Sequence, residues 1–146
     1  MKKERKDWKE LSFFVPMAKV PTVTAQEKKV RIINKNGHNI PIFYDTEKIK
    51  KAKQVFKEGL SPYVPEEPIE KKAIRLSVEW LFPLTKTALE GDWKITRPDT
   101  DNLQKMLKDI MTELKFWKDD ALVCIETIEK RYSSDSGVFI SLKVLN

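Results

Sequence analysis

The sequence predicts an α+β fold, a small mixed β-sheet carrying two main helices in a single domain. Three observations carry that expectation. Residues Ile74 to Phe82 alternate between apolar and polar, the period of a half-buried strand. Leu103, Met106, Leu107, Ile110, Met111 and Leu114 form one apolar stripe at helical spacing. Two β-rich runs, Val30 to Ile33 and Ile40 to Phe43, flank Asn36-Gly37, a dipeptide that favours two-residue hairpin turns. The domain spans 1–146, a length that fits one core, and 40% hydrophobic residues supply it.

The remaining elements follow in chain order. Leu11 to Val15 reads as a first strand closed by Pro16, and residues 19–29 read as loop. Asp45 or Thr46 can cap a helix that runs to Glu58 and stops at Gly59. Ile49, Ala52, Phe56 and Leu60 keep helical spacing there, with Lys48, Lys50, Lys51 and Lys57 on the other faces. Ser61 to Pro68 holds three prolines and reads as an irregular crossing. After the strand ending at Phe82, the stretch from Leu84 to Pro98 has no period; a loop this long in a small domain is usually functional or mobile. Asp101 and Gln104 have the spacing of a capping box at the start of the next helix. Lys115 to Lys118 form a turn, Ala121 to Tyr132 a strand, and Val138 to Leu145 its hairpin partner.

Composition narrows the chemistry. A single cysteine, Cys124, excludes an internal disulfide, and a single histidine, His38, excludes a His-rich metal site. A zinc site of four Cys and His ligands is therefore impossible, so any metal is held by oxygen. The Lys-rich start lacks an apolar core and does not read as a signal peptide. No apolar run reaches the ~20 residues of a membrane span. The cytoplasm is the expected compartment. Residues 1–60 carry 15 Lys and Arg against 7 Asp and Glu, whereas residues 61–146 carry 13 against 15. A basic segment favours a polyanion through release of condensed counterions.

The segment Arg97-Pro98-Asp99-Thr100-Asp101-Asn102 concentrates the chemistry. If the chain is extended there, Asp99 and Asp101 share a face. Like charges that close raise each other's pKa unless a cation intervenes, and a hard divalent ion is the ordinary solution. Lys105 lies one helical turn after Asp101, with Lys108 near the same face. A metal between carboxylates polarises a phosphate and acidifies a bound water, while an ammonium one turn away neutralises developing charge. Asp119-Asp120 follows the helix and joins the site only if the chain folds back. Each residue also has a plain reading: helix caps for Asp99 and Asp101, an exposed pair for Lys105, a turn for Asp119-Asp120.

The run RPDTDNLQKMLKDIMTELKFWKDDALV, from Arg97 to Val123, resembles the RusA-type Holliday junction resolvases. Their pattern is D-x-D-N-L-x-K, an amphipathic helix, an aromatic turn and D-D. The resemblance implies a RusA-like fold and a homodimer that nicks a four-way DNA junction symmetrically with Mg²⁺, for which Mn²⁺ can substitute. It implies Asp99, Asp101 and Asp120 as metal-binding catalytic carboxylates and Lys105 as the catalytic lysine. Lys130 matches the family's lysine after the strand. A straight ten-residue strand reaches ~33 Å, which separates Lys130 from Asp120 and gives it a DNA or dimer role. With Lys86, Lys94, Arg97 and Lys108 it makes up the expected DNA-contact set. Val15-Pro16-Met17-Ala18-Lys19-Val20-Pro21 only loosely echoes the family's Pro-rich start, without its arginine. The rival readings are a flap or fork nuclease, a non-catalytic structure-specific DNA-binding protein, and a small-molecule phosphohydrolase.

Overall fold

The computed structural model describes residues 10–21 and 29–145, so the expectations for the first nine residues and most of the 19–29 loop lie outside the described residues. The elements are β1 (Glu10–Pro16), β2 (Lys29–Lys35), β3 (His38–Tyr44), α1 (Glu47–Leu60), β4 (Ile74–Phe82), α2 (Thr100–Glu113), β5 (Val123–Tyr132) and β6 (Gly137–Val144). The fold is α+β, as expected. Four strands form one mixed sheet in the order β1-β6-β4-β5, with β4 and β5 parallel and the other pairs antiparallel. The β2–β3 hairpin is a separate two-stranded sheet. Its turn places Asn36 at φ 54 and Gly37 at φ 79, the left-handed geometry that this dipeptide accepts.

One face of the large sheet is the core. Ile74, Leu76, Val78, Trp80 and Phe82 of β4 are all buried, matching the sequence alternation. They are joined by Val138, Ile140 and Leu142 of β6 and by Phe13 and Val15 of β1. Both helices cover this face. Helix α2 buries Leu103, Met106, Leu107, Ile110 and Met111, a set worth roughly 7–15 kcal/mol in apolar transfer as an upper bound. Helix α1 buries Ile49, Ala52, Phe56 and Leu60, and the Phe56 ring meets Trp80 edge-on at 5.8 Å.

Three local expectations are corrected. Helix α1 does not stop at Gly59 but runs through it to Leu60. A Cβ at Gly59 would overlap Val15 Cγ1, so this glycine permits close packing of α1 on β1. Helix α2 is not capped by Asp101: it starts at Thr100 after Asp99, which is extended at φ −72, ψ 147 and makes no side-chain cap bond. Gln104 does not reach back to a cap either; its Oε1 accepts from Trp80 Nε1 at 3.3 Å in the core. Finally, β5 and β6 are not hairpin partners. Strand β6 pairs with β1 and β4, while β5 lies beyond β4 at the opposite edge. The strongly apolar β4 takes a central place, and the Glu, Lys and Arg of β5 suit an edge.

Two parallel strands joined through a helix make β4-α2-β5 a crossover unit. The long loop that precedes α2 is docked along the free edge of β5. Gly91 N–H donates to Tyr132 O at 2.8 Å, Tyr132 N–H to Asp92 O at 2.9 Å, and Lys94 N–H to Lys130 O at 3.0 Å. Glu90 fastens the loop's first part: the Ser134 backbone N–H and then the Ser133 hydroxyl hold its carboxyl below the usual carboxylate range.

Candidate active site

The crossover unit creates the site. Helix α2 runs antiparallel to β5, as two contacts show: Lys130 Nζ meets Pro98 O just before the helix, and Lys108 Nζ meets Glu126 in its third turn. Between helix and strand lies an open cleft of about 290 Å³. Asp101, Gln104, Lys105, Lys108 and Asp109 line it from α2, Glu126 and Ile128 from β5, and Asp120 from the turn between them.

The side chains reach the cleft for separate reasons. Asp101 and Lys105 are exposed on the helix face opposite the buried Leu/Met/Ile stripe. Asp120 opens a one-turn 3-10 helix, Asp120–Leu122, capped by Asp119, whose side chain accepts from Ala121 N–H at 2.9 Å. The cap fixes the direction in which the chain enters β5. Asp101, Lys105 and Asp120 thus share one cleft. Asp99 stands just outside it. Because Thr100 is already helical, the two-residue alternation that would pair Asp99 with Asp101 does not apply.

The antiparallel run of α2 against β5 puts Asp101 toward one end of the cleft and Asp120 toward the other. Asp101 and Asp109 alone are about 12 Å apart along the axis at 1.5 Å per residue. Among the described residues, no group of three or more His, Cys, Asp or Glu is close enough to hold a metal ion. The expected single cluster of Asp99, Asp101 and Asp120 is therefore not drawn together within one chain. The donor chemistry nevertheless suits a hard cation, since Asp101, Asp109, Asp120 and Glu126 offer only carboxylate oxygens. Mg²⁺ commonly takes one or two carboxylates and completes its shell with waters and substrate phosphate. The residues present fit that mode and not an all-protein cage.

The expected DNA-contact set divides. Lys86 and Arg97 are exposed and make no hydrogen bond or ion pair with the described residues. Lys94 is half-buried, 4.9 Å and 5.2 Å from the centres of the Phe82 and Tyr132 rings, and its Nζ donates to Thr96 Oγ1 at 2.8 Å. Lys108 is ion-paired with Glu126 at 2.9 Å, with about a quarter of each side chain exposed. Lys130 does not line the cleft with Asp120, but its Nζ donates to Thr96 O and Pro98 O at 2.8 Å each, beside Asp99. Trp93 is 56% exposed, and Arg131 stacks on its ring at 3.6 Å, so one face is already covered.

Sequence reasoning read Gln104 as a cap partner and did not single out Glu126. Gln104 is 1% exposed, and its Nε2 is a buried donor without a partner. The indole of Trp80 can only donate, so Oε1 must face it and the amide NH₂ must face away. Nothing in the sequence places Trp80 opposite Gln104. Glu126 carried no distinguishing signal, being one of four charged residues among the ten of β5.

A family model described as Endodeoxyribonuclease RusA matches residues 19–143. A curated relative, the crossover junction endodeoxyribonuclease rusA of Lactococcus phage r1t, is 31% identical over 112 residues. That alignment covers 76% of this chain and 80% of the relative.

Proposed function

The chain belongs to the endodeoxyribonuclease RusA family, and we infer on that footing that it is an endodeoxyribonuclease acting on crossover, four-way DNA junctions. The chemistry is assigned to the α2–β5 cleft. The observation that carries this assignment is that Asp101, Lys105 and Asp120, from three separate places in the family motif, line one cleft.

Asp101, with Asp99 beside it at the helix entry, and Asp120 at the other end of the cleft are the proposed carboxylate ligands, each end offering a cation one or two carboxylates while water and DNA phosphate complete its shell. Mg²⁺, or Mn²⁺ in its place, would polarise the scissile phosphodiester and favour attack by water. Lys105, which makes no ion pair among the described residues, brings an ammonium to the cleft, where it would stabilise negative charge that develops on the phosphate. Lys86 and Arg97 grip flanking phosphates. A homodimer would present two clefts, one for each of two symmetric nicks. The expected compartment is the cytoplasm; among the described residues, no helix is long and apolar enough to cross a membrane.

The test is a substrate panel: labelled four-way junction, flap, fork and linear duplex, each in Mg²⁺ and in EDTA. Paired, Mg²⁺-dependent nicks on the four-way junction are expected. Cutting confined to flaps or forks would reassign the substrate, and binding without cutting in Mg²⁺ or Mn²⁺ would make the chain a DNA-binding protein.

A further inference from the structure

Lysine 130 lies on β5 in register with the fully buried Trp80 of β4, so its backbone belongs to the rigid sheet. Its side chain is half-buried. An ammonium has three donors, and two of these are directed at backbone oxygens, Thr96 O and Pro98 O, each at 2.8 Å. These carbonyls stand three residues and one residue before Asp99. Lys94 N–H joins the loop to the β5 edge, and Asp99 O accepts the first α2 bond from Leu103 N–H. Between those two points, among the described residues, the backbone makes no backbone–backbone hydrogen bond. Lys130 supplies the tie that is missing there.

We propose that Lys130 is a positioning residue: its ammonium clamps the 96–98 backbone to β5 and thereby fixes the entry of α2, which carries Asp99 and Asp101. The proposal rests on the nuclease reading above. Carboxylates that must meet a cation and a phosphate together tolerate little play, since a 1 Å misplacement can cost about a hundredfold in rate. A strand-borne clamp limits that play better than the loop could alone. The same lysine used as a phosphate contact would leave a different signature, because each lost phosphate contact lowers the salt dependence of binding by about one unit.

The experiment compares the full chain with Lys130→Met and Lys130→Arg. Junction affinity is measured across a salt series, nicking at saturating enzyme in Mg²⁺, and exchange of the Leu103 amide, whose bond to Asp99 O closes the first turn of α2. Lys130→Met is expected to keep its junction affinity and salt slope while the saturated nicking rate falls on the order of 10–100-fold, as for other supporting-shell losses. Exchange at the Leu103 amide should speed up in the same variant. Lys130→Arg, which can still donate to both carbonyls, should recover most of the rate. A salt slope lower by about one with an unchanged saturated rate would make Lys130 a phosphate contact and overturn the proposal. Unchanged exchange at the Leu103 amide would overturn it as well. A wild type that cuts no branched DNA would sink the nuclease reading, while the exchange comparison would still decide whether the clamp exists.

Discussion

Lys105 and Lys108 are two lysines on one face of α2, and the structure assigns them different electrostatic work. Lys105 is exposed in the cleft and has no ion-pair partner among the described residues, whereas Lys108 spends its charge on Glu126 at 2.9 Å. Two unit charges 4 Å apart interact by about 1 kcal/mol in water and about 4 kcal/mol at an effective dielectric of 20. DNA bound in this open cleft would displace part of its water, so a value between these, roughly 1.5–3 kcal/mol, would apply to the proposed contact of Lys105 with the charged phosphate. At 1.36 kcal/mol per decade, Lys105→Met should slow nicking by about ten- to a hundredfold. Lys108→Met alone would leave the Glu126 carboxylate uncompensated, so the informative comparison is the double variant Lys108→Met/Glu126→Gln, which removes both charges. Its net charge in the cleft is unchanged, and its rate should stay within about threefold of wild type, as the pair's mutual attraction is largely offset by desolvation. The assay is single-turnover nicking of a labelled four-way junction at saturating enzyme. A double variant as slow as Lys105→Met, or Lys105→Met at the wild-type rate, would rule out this division of roles between the two lysines.

Three further outcomes follow from other parts of the molecule. Gly59→Ala should destabilise the chain: a helix-interior alanine normally gains about 1 kcal/mol over glycine, but overpacking against Val15 costs about 1–3 kcal/mol, and a higher urea midpoint would contradict the close α1–β1 approach. Burial first, then the neighbouring Glu129 carboxylate, raises the pKa of Glu79 above its ordinary value. The folded state therefore binds this proton more tightly than the unfolded chain, and stability falls as pH rises from the ordinary carboxylate range through the raised value. Glu79→Gln should accordingly raise Tm at pH 7, with the gain gone below about pH 4, and a Tm difference independent of pH would count against it. Lys86→Gln and Arg97→Gln should each weaken junction binding and lower its salt slope by about one unit; a slope identical to wild type would remove that residue from the DNA surface.

Local periodicity made much of the fold legible. The bounds of β4 could be read from alternation, and the buried face of α2 from its apolar stripe, because each pattern reports burial of a single element against a single layer. Pairing was less legible. Strands β5 and β6 adjoin in sequence across a short turn, which ordinarily signals a hairpin; only the competition of β6 and β5 for opposite edges of the apolar β4 decides the order, and that is a property of the whole sheet. At the site, Asp101, Lys105 and Asp120 were legible through motif spacing, and they line one cleft. The pairing of Asp99 with Asp101 assumed an extended chain that becomes helical one residue too early. Lys130 was set apart from Asp120 by strand length, correctly as far as the cleft lining goes, but that measure ignored the long loop returning along β5 to meet it. A loop that docks by backbone hydrogen bonds leaves no periodic trace in its side chains.

DNA cleavage is proposed to occur in the α2–β5 cleft through Asp101. Its most direct test is to measure nicking and binding of a four-way junction by wild type and Asp101→Asn side by side in Mg²⁺. Asp101→Asn should bind the junction about as tightly as wild type and make no nicks. Nicking by Asp101→Asn at the wild-type rate would contradict it and place the chemistry elsewhere on the chain.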